Sequence, residues 1–240
     1  MLSGCQSIEY YSQAVGGQVD VWSKQREIEE VLSDPDTDPG VRARLEAALQ
    51  ARRFASEQLG LPDNDSYTRY ADLGRDFVVW NVVATPRYSV EPVRSCFPVV
   101  GCVSYRGYYT EQQARDRAAQ QRDAGMDVYV GGVSAYSTLG WFDDPLLNTM
   151  LTRSEAGIAA LMFHELAHQQ VFVRGDTRFN ESFATAVEEL GLREWAAVHD
   201  QDQVVQDYLM RRRKNREVIK LLLDTREQLD AVYREQALAG

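Results

Sequence analysis

The segment Phe163-His164-Glu165-Leu166-Ala167-His168 constrains this chain more than any other stretch. Ile158, Leu161, Met162, Leu166 and Ala167 predict that it lies on a largely buried helix. Residues i and i+4 of a helix share a face, so His164 and His168 can direct their imidazoles at one point. The alternative is a surface helix that carries two histidines by accident. The whole chain has 3 histidines, and two of them fall within this single helical turn. Histidines do not enter an apolar helix without a partner, so the surroundings favour a shared ligand over coincidence.

His-Glu-x-x-His is the pattern of helices that hold one zinc ion between two imidazoles, with the intervening glutamate as general base. Glu165 is therefore the candidate base: it adjoins a ligand without being one. Two histidines leave a tetrahedral ion short of a third protein ligand. Glu181, thirteen residues beyond His168, is the natural candidate. It opens a predicted second helix, Glu181 to about Val198, with Phe183, Ala184, Val187, Leu190 and Trp195 as its apolar residues and Asn180 as its N-cap. The competing reading of Glu181 is a first-turn glutamate favoured by the helix dipole.

These residues carry a resemblance. His164-Glu165-x-x-His168 followed by Asn180-Glu181-Ser182-Phe183-Ala184 resembles the gluzincin metallopeptidases, and the latter segment is similar to that of zinc aminopeptidases. Tyr105-Arg106-Gly107-Tyr108-Tyr109 and the run from Ala135 through Tyr136 and Trp141 to Pro145 resemble, together with the zinc segment, a family of bacterial lipoproteins named as zinc aminopeptidases. The resemblance spans nearly the whole chain. It implies one Zn²⁺ held by His164, His168 and Glu181, with peptides as substrates. The spacing from His168 to Glu181 is shorter than in the better-known aminopeptidases, and their glycine-rich amine-recognition motif is not recognisable. The acidic residue that usually follows the third ligand by four positions is replaced by Thr185.

Length and charge bound the rest. At 240 residues and 44% apolar content the chain can bury a sizeable core. A net charge of −10 argues against nucleic acid as a partner. Leu2-Ser3-Gly4-Cys5 matches the lipobox, in which a lipid is attached to the cysteine, here Cys5. The hydrophobic stretch that precedes a lipobox is missing, so the chain is expected to begin within the end of its signal peptide. Gln6 is not the aspartate that retains lipoproteins in the inner membrane, which points to the periplasmic side of the outer membrane. Cys96 and Cys102 then read as a small disulfide loop in an exported protein.

Along the chain, residues 1–18 read as lipoprotein N-terminus and tether and 19–240 as a single metallopeptidase domain. Within that domain, 19–60 is a helical hairpin, 75–200 the catalytic core and 203–240 C-terminal helices. The hairpin comprises a helix from Val19 to Leu32 and one from about Gly40 to Leu59, capped by Asp38, with Val41, Leu45, Leu49 and Phe54 inward. Strands are expected at Phe77–Ala84, Val103–Tyr109 and Asp127–Val133, with a helix from Glu111 to Ala124. Val128 to Tyr136 is the candidate edge for an extended peptide, and Gly131 and Gly132 could admit a substrate backbone or mark a bulge or turn. The segment from Ser134 to Pro145 could line a pocket or cover the core, and Trp141 and Phe142 read as core. Helices at Gln203–Arg213 and Arg216–Ala237 follow, the second with an apolar stripe of Val218, Leu221, Leu222, Leu229 and Val232; Arg211-Arg212-Arg213-Lys214 reads as a solvated face, with a contact to anionic lipid as the alternative.

The fold class expected is α+β and gluzincin-like: mostly helical, with a small, mostly antiparallel sheet beside the His-Glu-x-x-His helix. Tyr136 and Tyr108 are candidate oxyanion donors. Glu188, ahead of Asp176, and Thr185 are candidates for orienting the imidazoles. The expected activity is zinc-dependent aminopeptidase action on peptides in the bacterial envelope. The alternatives are a zinc endopeptidase, or a non-catalytic lipoprotein scaffold that keeps zinc for structure.

Overall fold

The computed structural model describes residues 3–97, 101–135 and 142–239. In chain order, α1 (Ser3–Ser23) leads into β1 (Gln25–Glu27), α2 (Ile28–Ser33), α3 (Pro39–Glu57) and β2 (Arg69–Ala71). There follow β3 (Val79–Pro86), β4 (Ser95–Phe97), β5 (Gly101–Val103), β6 (Arg106–Tyr108), α4 (Glu111–Asp123) and β7 (Met126–Val133). The chain continues with β8 (Leu146–Leu147), α5 (Glu155–Gln170), α6 (Thr177–His199) and α7 (Asp202–Ala239). The class is α+β, mainly helical, with three small sheets among the described residues.

The chain forms two compact units. One comprises residues 1–20, 76–134 and 213–240; the other comprises 21–75 and 135–212. In the first, β3 is the central strand of a three-stranded antiparallel sheet, with β6 and β7 at its edges. Its alternating pattern sends Trp80 and Val82 into a core with Tyr108, Ala114 and Ala118. Thr110 caps α4 by accepting from the Gln113 amide at 3.3 Å. Gly132 pairs with Trp80 in regular register, without a bulge or turn. A Cβ there would lie 2.3 Å from the Phe77 ring, so this glycine makes room for that ring. Cys96 and Cys102 are register partners in the β4–β5 hairpin and are joined by a disulfide.

The second unit holds the His-Glu-x-x-His helix. Asp38 caps α3 by accepting from the Gly40 and Val41 amides at 2.8 and 3.1 Å, with Pro39 opening the helix as expected. Leu45, Ala48, Ala51, Phe54 and Ala55 form its inner face, while Val41 and Leu49 are half-buried. The expected Val19–Leu32 helix is interrupted because Gln25–Glu27 pair antiparallel with Arg69–Ala71. β2 in turn pairs parallel with β8, giving a mixed sheet. Sequence patterning misses β2 and β8 because each is too short to show an alternation. Phe142, expected in the core, is 53% exposed, its ring edge-on to Trp22 at 5.2 Å. Tyr136 and Trp141 lie outside the described residues.

Arg52 is the buried charge that ties α3 to the loop after it. It is 4% exposed and donates to the carbonyls of Ser66, Pro62 and Asn64 at 2.8, 3.0 and 2.6 Å. Burial holds its pKa below the usual arginine value, opposed by Asp63 and Asp65. Arg52→Met would leave three carbonyls without their charged donor. A loss of about 3 kcal/mol is expected, since hydrogen bonds to charged groups contribute about 1.5–3 kcal/mol each and some of these carbonyls can turn to water. Urea unfolding of the two proteins checks this, and a difference under about 1 kcal/mol would contradict it.

The C-terminal helices are one continuous helix, α7, rather than two. Val218, Leu221, Leu222, Leu229 and Val232 are 39–65% exposed along it. No helix among the described residues is long and apolar enough to cross a membrane.

Candidate metal centre

Helix α5 is positioned by its burial. Ser154 caps it by accepting from the Gly157 amide at 3.2 Å. Ile158, Ala159, Met162, Phe163, Leu166 and Ala167 are fully or almost fully buried, so the helix cannot rotate without exposing them. α6 packs against it, and Gly191 marks a close approach. A Cβ at Gly191 would lie 2.6 Å from Leu59 Cδ1 and 3.0 Å from the Phe163 ring.

α6 starts earlier than the sequence suggests. Its cap is Asp176, which accepts from the Phe179 amide at 2.9 Å. Asn180, expected as the cap, is instead buried in the first turn. Its carboxamide accepts from the Val173 amide at 2.8 Å and donates to the Val173 carbonyl at 2.9 Å, clasping the loop between the two helices. Glu181 therefore stands one turn further into α6, and Asp176 is committed to the cap.

The packing brings His164, His168 and Glu181 together. The two Nε2 atoms are 3.2 Å apart. Glu181 Oε2 is 3.4 Å from His164 Nε2, and Oε1 is 3.5 Å from His168 Nε2. A tetrahedral ion with zinc-to-ligand distances of about 2.0–2.2 Å requires ligand atoms about 3.3–3.6 Å from one another. With one donor atom from each residue, the three lie within 4.8 Å of one another, and they form the group able to hold a metal ion among the described residues. His168 is 5% exposed. Burial lowers its pKa first, the His164 imidazole beside it lowers it further, and Glu181 opposes both. The result is a neutral imidazole, the form that donates a lone pair. Its buried Nδ1 finds no hydrogen-bond partner among the described residues. Glu165 is half-buried on the same helical turn.

His164 is held from behind. Its Nδ1 lies 3.1 Å from Oε2 of Glu188, a carboxylate only 3% exposed. Oε1 of Glu188 accepts from the Tyr208 hydroxyl at 3.0 Å and pairs with the Arg212 guanidinium. Arg212 also donates to Thr185 Oγ1 at 3.2 Å and lies 3.6 Å from Glu189. Burial raises the Tyr208 pKa, so it stays a hydroxyl donor. Sequence reasoning names Glu188 and Thr185 but misses Tyr208 and Arg212. Arg212 belongs to the basic run read as solvated, yet its side chain is half-buried against α6. A buried carboxylate is the one signal that could have asked for a cationic partner, and burial of Glu188 was not legible.

Tyr108 is 8% exposed in the core of the other unit, with its ring edge-on to Tyr10. β7, the candidate peptide edge, is an edge strand of that unit and ends at Val133, whereas the three donors belong to the second.

An α+β chain with two imidazoles and a carboxylate converging on one point is, in class, a candidate metalloprotein. Its family follows from comparison: the model described as "Putative aminopeptidase" matches residues 9–239, and the chain belongs to that family. No curated protein and no solved structure matches the chain.

Proposed function

We propose that the protein is a zinc-dependent peptidase of gluzincin type, acting as an aminopeptidase on peptides in the bacterial envelope. The observation that carries this reading is the convergence of His164, His168 and Glu181 into a group able to hold a metal ion, with Glu165 next to His164 on the same helix. The family's aminopeptidase description supports it. In this reading the three side chains hold one Zn²⁺. When bound, the ion supplies Lewis-acid polarisation of a carbonyl and brings the ionisation of water toward neutral pH. Glu165 accepts the proton of the attacking water on a carboxylate oxygen and returns it to the leaving amine. Glu188 holds His164 in position throughout.

The test is cleavage of a mixed peptide library with free and blocked N-termini by zinc-loaded protein. Loss of single N-terminal residues from free peptides only is expected. Internal cuts in blocked peptides would favour the endopeptidase. No cleavage of either set would favour a scaffold that keeps zinc for structure.

The lowered His168 pKa sets a pH dependence. The fold prefers neutral imidazole, whereas the unfolded chain protonates near the ordinary value of 6.5. This contribution to stability is therefore complete above that value and is lost as pH falls below it. Proton competition for the ligands acts in the same direction on metal affinity. Zinc release to a chelator should rise as pH falls through the lowered pKa of His168, below its ordinary value of 6.5. Retention unchanged down to pH 5 would contradict this account.

The envelope location is proposed on the lipobox alone, with a lipid on Cys5 as the anchor to the outer membrane. The full gene product should fractionate with that membrane, and Cys5→Ser should release it or block its processing. Unchanged behaviour of the variant would remove the anchor.

A further inference from the structure

We propose that Tyr208 and Arg212, both on α7, are positioning residues of the metal centre that act through Glu188 to fix the tautomer of His164. The inference rests on the reading of His164, His168 and Glu181 as ligands, but its geometry stands apart from the metal. Glu188 has two carboxylate oxygens and is buried, so each needs donors. Oε1 is occupied by the Tyr208 hydroxyl at 3.0 Å and by the Arg212 guanidinium. That leaves Oε2 for His164 Nδ1 at 3.1 Å. An ionised carboxylate only accepts, so the proton of a neutral His164 must sit on Nδ1. Its Nε2 then carries the lone pair, on the side where His168 Nε2 and Glu181 stand at 3.2 and 3.4 Å. The opposite tautomer would set two lone-pair bearers, Nδ1 and Oε2, against each other and turn an N–H toward the ligand point.

Arg212 is suited to this role because it is itself held. It donates to Thr185 Oγ1 at 3.2 Å and lies 3.6 Å from Glu189. Thr185 stands four residues beyond Glu181 on α6 and Glu188 seven beyond it, so all three line one face of that helix. The guanidinium thus spans the back of the ligand-bearing turn. His168 has no counterpart among the described residues, since its Nδ1 is without a hydrogen-bond partner. The support is one-sided, and His164 is the ligand whose orientation is fixed before any ion arrives.

The experiment uses the full chain in two forms. With only 3 histidines, the ¹⁵N spectrum of histidine-labelled protein can be assigned by single substitutions. In metal-free wild type, His164 should show the Nδ1–H tautomer. Arg212→Gln should shift it toward a mixture and weaken zinc binding by about 10–100-fold, as for loss of other outer partners of metal ligands. Arg212→Lys should restore much of both, because an ammonium can still neutralise Oε1. Tyr208→Phe removes one donor without disturbing the ion pair and should give a smaller shift in the same direction. It is also the variant to rely on if Arg212→Gln does not fold. An unaltered His164 tautomer and unaltered zinc affinity in both Arg212→Gln and Tyr208→Phe would overturn the proposal. If the wild type bound no zinc, the ligand reading would fail, while the tautomer of the metal-free protein would still decide whether Tyr208 and Arg212 position His164.

Discussion

Glu165→Gln is expected to keep the metal and lose the chemistry. Glutamine preserves the size and much of the hydrogen bonding of the side chain but removes the basic oxygen. His164, His168 and Glu181 are untouched, so zinc content should stay at about one equivalent. Peptide hydrolysis should fall by about 10²–10⁴-fold, the usual loss with a positioned general base. Metal analysis beside turnover on a zinc-requiring peptide checks both halves. Wild-type turnover in this variant would remove Glu165 from the mechanism.

The ligand variants should behave in the opposite way. His168→Ala removes a buried imidazole that lies 3.2 Å from its partner, and the protein should lose its zinc. Glu181→Gln should weaken binding, because a neutral amide is a poor zinc ligand. Glu181 is also the most exposed of the three, with a side chain 57% accessible, so its replacement should disturb the fold least. Metal loss with unfolding temperature nearly unchanged is the pattern expected for Glu181→Gln. Full zinc retention in His168→Ala would be inconsistent with the site as described. Measured together with Glu165→Gln, these variants separate holding the ion from using it.

The candidate site was legible where it rests on local periodicity. His164 and His168 share a face by helix geometry, and the apolar residues around them predicted the burial found for α5. Glu181 was a candidate by its place after the histidines, and its carboxylate stands with both imidazoles, although its helix begins at Thr177 because Asp176, not Asn180, takes the cap. The same local chemistry gave α3, where Asp38 and Pro39 are cap and first residue, and α4, where Thr110 caps. Among the strands, β3, β7 and the three-residue β6 fall where they were expected, β6 inside the Val103–Tyr109 segment. β3 and β7 have eight residues each and show their pattern, whereas β2 and β8 are defined by partners distant in sequence.

Apolar periodicity also misled in two places. Leu190 on α6 and the stripe from Val218 to Val232 on α7 read as the apolar sides of their helices, and both are exposed. Hydrophobic spacing says which residues of a helix share a side. It does not say whether another element covers that side.

The sequence by itself determined that His164 and His168 share one face of one helix, because residues four apart on a helix are neighbours whatever the rest of the chain does. It also determined the cysteine pair, whose six-residue separation closes within one hairpin. Only the tertiary structure decided what stands behind His164. Glu188 reaches it across 24 residues, and Tyr208 and Arg212 reach Glu188 across a further 20 and 24. Contacts at that separation depend on how α5, α6 and α7 pack. Of the basic run, Arg211, Arg213 and Lys214 are exposed as expected, and only Arg212 becomes part of an ion pair once packing has buried the carboxylate it faces.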